Sequence, residues 1–301
     1  MEIKVTDENY VEVRIDKFLQ NYLDITRTKI ASMIKDNKIL VNGKSVKSSY
    51  VVSIGDVIEV GEYTTEPVSA TPEKMDLDIV YEDDDVIVVN KENGMVVHPG
   101  AGNINHTLVN GLVYHSNQLS DINGSFRPGI VHRIDAYTTG LLMVAKNNKA
   151  HEVLARELEK KETKRVYTAL VWGRIVEDSA TIDAPIGRDI KDRKRQAVTN
   201  INSKDAVTHF KVLERYKRAT LIELQLETGR THQIRVHMNY INHPVVNDPV
   251  YGNYPKIDDT GQCLHAGVLG FHHPKTGKYL EFSAPLPECF TNILNKFKEE
   301  E

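Results

Sequence analysis

The 301-residue chain has only two cysteines, Cys263 and Cys289, too few for a disulfide framework. A reducing compartment is the natural setting for such usage. The first eight residues, Met1-Glu2-Ile3-Lys4-Val5-Thr6-Asp7-Glu8, lack a basic leader and an apolar core, so no secretory signal is read. The apolar runs fall far short of the roughly 20 residues that cross a bilayer. A cytoplasmic protein without a membrane partner is expected. No Gly-rich loop of the P-loop or dinucleotide-binding kind is present, which predicts no nucleotide cofactor. An excess of one charge is also missing. The net charge of −4 excludes a uniformly basic nucleic-acid binder, but not a local basic face.

What is there suits two domains of an ordinary globular protein, with 40% hydrophobic and 27% charged residues. Near the N-terminus, Ile15, Phe18, Leu19, Tyr22 and Leu23 form one apolar stripe at helical spacing. Thr26 can cap a second helix with Ile30, Met33 and Ile34 inward. Asn42-Gly43 is a hairpin signal, and Val57 to Val60 reads as a strand. Between Thr26 and Tyr50 stand six basic residues, Arg27, Lys29, Lys35, Lys38, Lys44 and Lys47, against one acid, Asp36, a balance of +5. In an acidic protein this is the footprint expected of a phosphate-binding surface, although a helix alone would carry such lysines as a solvated face. Residues 67–75, with Pro67 and Pro72, read as an extended linker between a unit at 1–66 and a second domain at 76–301.

In the second domain, Leu77 to Tyr81 and Val86 to Asn90 read as strands around an acidic turn, and Thr107 can cap a helix bearing Leu108, Leu112 and Val113. Lys149 to Glu162 reads as a charged helix. Lys164 to Gly173 and Thr220 to Leu226 read as strands. Thr231 can cap a helix with Ile234, Met238 and Ile241 inward and Arg235 on another face. Pro185 to Gln196 is a second basic segment, a loop with five basic residues, among them Arg193, Lys194 and Arg195, against two acids. It could track a phosphate backbone or be a solvated hairpin tip. Cys263, His265, His272, His273 and Cys289 are metal-capable types, but their spacing lacks the paired knuckles of structural zinc, so no metal is expected.

The densest polar segment lies between two apolar runs: Ile130-Val131 as the end of one strand, then His132-Arg133-Ile134-Asp135-Ala136-Tyr137-Thr138-Thr139-Gly140, then Leu141 to Ala145 as another. Taken alone, Asp135 could simply cap a turn. The segment resembles the catalytic motif of the RluA family of RNA pseudouridine synthases, which reads roughly His-Arg-Leu-Asp-x-x-Thr-Ser-Gly-Leu. Ala136 and Tyr137 depart from that pattern. The run Gly229-Arg230-Thr231-His232-Gln233-Ile234-Arg235 and the stretch His243-Pro244-Val245-Val246-Asn247-Asp248-Pro249-Val250-Tyr251-Gly252 resemble the same family. His98-Pro99-Gly100-Ala101-Gly102 is most similar to its RluD branch, which acts on large-subunit ribosomal RNA. The order of elements over residues 12–60 resembles the S4 RNA-binding domain.

The resemblance implies an α+β protein: a small S4-type α/β RNA-binding domain, then a catalytic domain with a mixed, mainly antiparallel β-sheet flanked by helices and loops. It implies isomerisation of uridine to pseudouridine in RNA. The C1′–N1 bond breaks, the base turns, and C5 joins C1′, with no net redox change. Asp135 is then the essential carboxylate, Arg235 its charge partner, Tyr167 the ring against the target base, and Arg133 the filler of the space a flipped base vacates. The implied partner is RNA, large-subunit ribosomal RNA or its assembly precursor, met by a monomer. Two other classes stand beside this reading. A ribosome-assembly factor on the same fold would bind RNA without useful catalysis. An Asp-dependent glycosidase would want a second carboxylate as its acid.

Overall fold

The computed structural model describes residues 1–6, 13–23, 25, 27–63, 70–100, 103–125, 127–192 and 195–300. Thr26, Arg193 and Lys194 lie outside the described residues. By contacts the chain divides into Met1–Val68 and Ser69–Glu301.

The first unit contains β1 (Glu2–Lys4), α1 (Ile15–Phe18), α2 (Arg27–Lys35), β2 (Ile39–Val41), β3 (Lys44–Ser45) and β4 (Val57–Val60), with an antiparallel sheet ordered β1-β4-β2-β3. The helix expected from Ile15 onward is cut short: Leu19–Asn21 forms a 3₁₀ turn after α1. Three residues per turn rotate the stripe, so Tyr22 points outward while Ile15, Phe18, Leu19 and Leu23 are buried. In α2, Ile30, Met33 and Ile34 face the core as their spacing predicts. Asn42 and Gly43 both have positive φ, 51° and 69°, the requirement of a two-residue turn whose twist matches its strands.

The second unit runs β5 (Ile79–Glu82), β6 (Val86–Lys91), α3 (Leu108–His115), β7 (Thr139–Ala145), α4 (Asn148–Glu159), β8 (Lys164–Trp172), β9 (Ser179–Asp183), β10 (Ile186–Arg188), β11 (Gln196–Val198), β12 (Val207–Arg215), β13 (Ala219–Leu226), α5 (Gln233–Tyr240), β14 (Leu264–His272), β15 (Tyr279–Ser283) and α6 (Glu288–Lys298). Nine strands form one sheet, ordered β5-β6-β7-β14-β8-β13-β12-β9, with β15 also on β14. Every pairing is antiparallel except β7 with β14. Side chains alternate across the sheet, and both faces are covered. On one face Ile87, Val89, Leu142, Val144, Ala169 and Leu224 pack with α3 and α5. On the other, Val88, Leu141 and Met143 pack with α4, while Leu170 and Trp172 pack with α6.

Several local expectations change. Ile130 makes one isolated bridge to Val144, and Val131 is not strand. The basic segment, for which the sequence leaves a loop and a hairpin tip both open, connects the two strands of the antiparallel hairpin β10–β11. Thr231 does not cap α5; His232 occupies that position with a left-handed backbone, and Thr231 Oγ1 accepts from Arg133 instead. Thr107 does cap α3, in a reciprocal box with Asn110. Residues 70–75, expected within the linker, are tied to this unit: Ala70 N–H donates to Ser125 O, and Asn110 Nδ2 donates to Thr71 O.

Candidate active site

Asp135 stands at a turn just before β7. Its carbonyl accepts from Thr138 N–H at 3.1 Å, so Ala136 and Tyr137 form the bend and Thr139 starts the strand. Lys91, at the end of β6, anchors this bend from below. It is buried, and its Nζ donates to Ala136 O and Glu92 O, both at 2.7 Å. Burial pushes the Lys91 pKa down to about 7, against the opposing charges of Asp135 and Glu92. Tyr137 turns away and lies over Gly261, which has no side chain to block it. The departures from the motif, Ala136 and Tyr137, therefore leave the carboxylate's setting open.

Helix α5 brings Arg235 to this carboxylate. Arg235 Nη1 donates to Asp135 Oδ2 at 2.8 Å. The rest of the guanidinium forms a fork on Asp248, with Nε to Oδ2 at 2.7 Å and Nη2 to Oδ1 at 2.8 Å. Asp248 Oδ1 also accepts from Val250 N–H and Tyr251 N–H. Burial works against the charge on Arg235, but Asp248 and Asp135 outweigh it and raise its pKa above the ordinary value. The Arg235 guanidinium lies 5.1 Å from the centre of the Tyr251 ring, and so does that of Arg195. The Asp248 side chain is 0% exposed while that of Asp135 is 24% exposed. Only Asp135 can reach a substrate, and Asp248, fully engaged, is not available as the second acid that a glycosidase needs.

Tyr167, Arg133, Arg235 and Asp135 line one pocket, as the motifs require. Tyr167 points into it from β8 and is buried; burial raises its phenol pKa, with Arg165 and Asp135 acting in opposite directions. Arg133 is exposed at the rim, with Nη2 donating to Thr231 Oγ1 and Nη1 facing His98 Nε2, both at 3.3 Å. An adjoining hollow, lined by Val97 and His98, shares Arg133, Asp135 and His232 with the first. His132 faces away from the substrate side. Its Nε2 accepts from Met143 N–H at 3.2 Å, and burial, with Arg165 nearby, pushes its pKa down to about 3.

The other candidates are not among the residues that line these two hollows. Arg27, Lys29, Lys35, Lys38, Lys44 and Lys47 are all exposed on the first unit, where Arg27 and Arg14 both pair with buried Asp16. Arg195 is half-buried over Tyr251 rather than extended into solvent. Among the described residues, no three of Cys263, His265, His272, His273 and Cys289 bring ligand atoms together. The one group that does converge is Asp83, Asp85 and His273. There His273 Nδ1 accepts from two backbone N–H groups, which leaves its proton on Nε2, facing Asp83 Oδ2 at 2.7 Å. His232, Asp248 and Lys91 were not assigned as site residues from sequence. His232 and Asp248 lie within motifs and Lys91 ends β6, but each acts on a side chain or carbonyl elsewhere in the chain.

Residues 85–240 match the RNA pseudouridylate synthase family model, and residues 13–58 match the S4 domain. The Bacillus subtilis protein named "Uncharacterized RNA pseudouridine synthase YlyB" is 54% identical over 300 residues, covering 99% of this chain and 98% of that protein. The Neisseria meningitidis protein named "Ribosomal large subunit pseudouridine synthase D" is 44% identical over 300 residues, covering 95% of this chain and 79% of its own length. The solved structure of "Human RNA Pseudouridylate Synthase Domain Containing 1" is 26% identical, with a TM-score of 0.58 over 74% of this chain and 95% of that one. With Asp135 and Arg235 joined in a pocket beside Tyr167, and with an S4 domain ahead of it, the chain belongs to the RNA pseudouridylate synthase family.

Proposed function

We propose that the chain converts particular uridines of large-subunit ribosomal RNA to pseudouridine. The RNA class is supported by relatives named for the large ribosomal subunit, at 39–44% identity. Asp135 is the essential carboxylate, and its ion pair with Arg235 at 2.8 Å is the observation that carries the reading. Arg235 keeps the carboxylate supplied with a counter-charge in a site that a bound base closes to water. Tyr167 packs on the base held out of its stack, and Arg133, at the exposed rim, fills the gap left behind. As the C1′–N1 bond breaks and the C5–C1′ bond forms, the proton lost from C5 is balanced by the one N1 gains. The six exposed basic residues of the first unit and Arg195, with Arg193 and Lys194 beside it in sequence, serve phosphate contact rather than chemistry. The described lining of the pocket comes from one chain, which supports a monomer, and a ribosomal RNA substrate is what supports action in the cytoplasm.

The test uses ribosomal RNA transcribed with uridine tritiated at C5. The wild-type protein releases tritium and leaves pseudouridine in the product. Asp135→Asn keeps the shape and removes the charge, so it binds RNA and releases none. Tritium release by the Asn variant at the wild-type rate overturns the role of Asp135. Full RNA affinity with no release by the wild type favours the assembly-factor reading.

A further inference from the structure

His232 has two unusual features. Its backbone is left-handed, φ 57° and ψ 20°, at the N-cap of α5, where an ordinary cap residue is extended. Its ring is also clamped. Tyr251 Oη accepts from Gln196 N–H at 3.0 Å and lies 2.9 Å from His232 Nδ1. A phenol oxygen already accepting one bond uses its own hydrogen on the remaining partner, so Tyr251 O–H donates to Nδ1. The ring proton of a neutral His232 is then on Nε2. That atom faces Asp135 Oδ1 at 3.9 Å, while Asp135 Oδ2 is taken by Arg235. The groups around His232 are Asp135, Arg235, Asp248 and Arg133, and burial lowers its pKa, which keeps the ring neutral.

A separation of 3.9 Å is too long for a direct bond, yet an oxygen placed about 2.8 Å from both atoms bridges them at roughly a right angle. Such an oxygen must accept from Nε2–H and donate to a carboxylate. Uracil carbonyls only accept, and uracil N3–H only donates. Of the groups a nucleotide offers, a hydroxyl does both. In an internal RNA nucleotide the 3′ and 5′ oxygens belong to phosphodiesters, so one hydroxyl remains.

Resting on the functional reading above, we propose that His232 and Asp135 bracket the ribose 2′-hydroxyl of the target uridine. His232 Nε2–H donates to its oxygen, and the hydroxyl donates to Asp135 Oδ1. His232 is thereby a specificity residue that distinguishes ribose from deoxyribose at the flipped nucleotide.

The experiment measures binding, because a substituent at C2′ alters glycosidic cleavage by itself. Full-length protein is titrated with large-subunit ribosomal RNA transcripts made with ordinary uridine or with 2′-fluorouridine. Raised ionic strength suppresses backbone affinity. The wild type is expected to prefer the hydroxyl transcript by about tenfold, the scale of a hydrogen bond lost at a desolvated site. His232→Asn tolerates the left-handed backbone but has no donor at the Nε2 position, so its preference falls to one. His232→Gln places an amide donor near that position and recovers part of the preference. A wild-type preference of one, or an Asn variant that keeps the wild-type ratio, overturns the proposal. If Asn fails to fold, the wild-type ratio and the Gln variant still decide. Tritium release is scored separately: a wild type that prefers the hydroxyl yet makes no pseudouridine overturns the functional reading and leaves the contact standing.

Discussion

Arg235 serves two carboxylates that differ in kind. Asp248 is enclosed and holds the guanidinium by a two-point fork, whereas Asp135 takes one N–H and keeps an oxygen toward the pocket. The first pair holds the arginine in place; the second sets a counter-charge beside the partly exposed carboxylate. Removing the arginine is therefore expected to harm both stability and the proposed chemistry. Arg235→Met leaves a fully enclosed carboxylate unpaired, and a loss of about 3 kcal/mol or more is expected by denaturant unfolding. Asp248→Asn separates the two effects. It retains Asp135 but loosens the fork, so turnover should fall at least about tenfold while RNA affinity stays near wild type. An Asp248→Asn enzyme with wild-type turnover shows that the fork does not position Arg235. The pairing of Asp135 with Arg235, 100 residues apart, was legible because the family resemblance implies it. Asp248 also stands in a motif, but nothing in that stretch says that its carboxylate takes the Arg235 fork and two backbone donors.

Among the elements, strands and hairpins were the most readable, because alternation and turn residues act locally. Asn42-Gly43 specifies its turn, and Thr107 caps α3 through its own neighbour Asn110. The failures are tertiary. Nothing near Thr231 says that His232 will take the cap position, because the reason is the Tyr251 hydroxyl and the pull of Arg133 on Thr231. The parallel contact of β7 with β14 was equally invisible, since it joins residues 126 apart and leaves no periodicity in either segment. That contact depends on Gly140, which has φ of +110° and a hypothetical Cβ 2.3 Å from Ala266 O. Gly140→Ala should cost about 3 kcal/mol, combining an unfavourable backbone with a clash against main chain that cannot rotate aside. Thermal unfolding checks this, and a wild-type Tm for Gly140→Ala contradicts the tight approach.

For the whole molecule, acid is the condition that its buried groups oppose. Burial lowers the pKa of His98, His132, His151, His232, His237 and His265, that of His132 to about 3. Below pH ~6.5 the unfolded chain binds protons on these rings that the folded chain refuses, so stability falls as pH drops. Carboxylates act in the same direction lower down. Despite burial, hydrogen bonds from Tyr81 and two backbone N–H groups hold Asp83 at about 2, and its contribution is lost as pH falls toward that value. The Tm should therefore decline steadily from pH 6.5 to 4, with a shallower slope in His132→Gln; an equal slope removes His132 from the account. The strand order has a different consequence, one of timing. Strand β14 lies between β7 and β8 in space but follows both by some ninety residues or more in the chain. During synthesis Asp135, Tyr167, His232 and Arg235 all leave the ribosome before the strand that spaces them. A chain ending at residue 262 contains all four residues, yet it should show no tritium release until a separate fragment beginning at Cys263 is added. On this reading a nascent chain is expected to stay inactive until β14 has emerged to join β7 and β8.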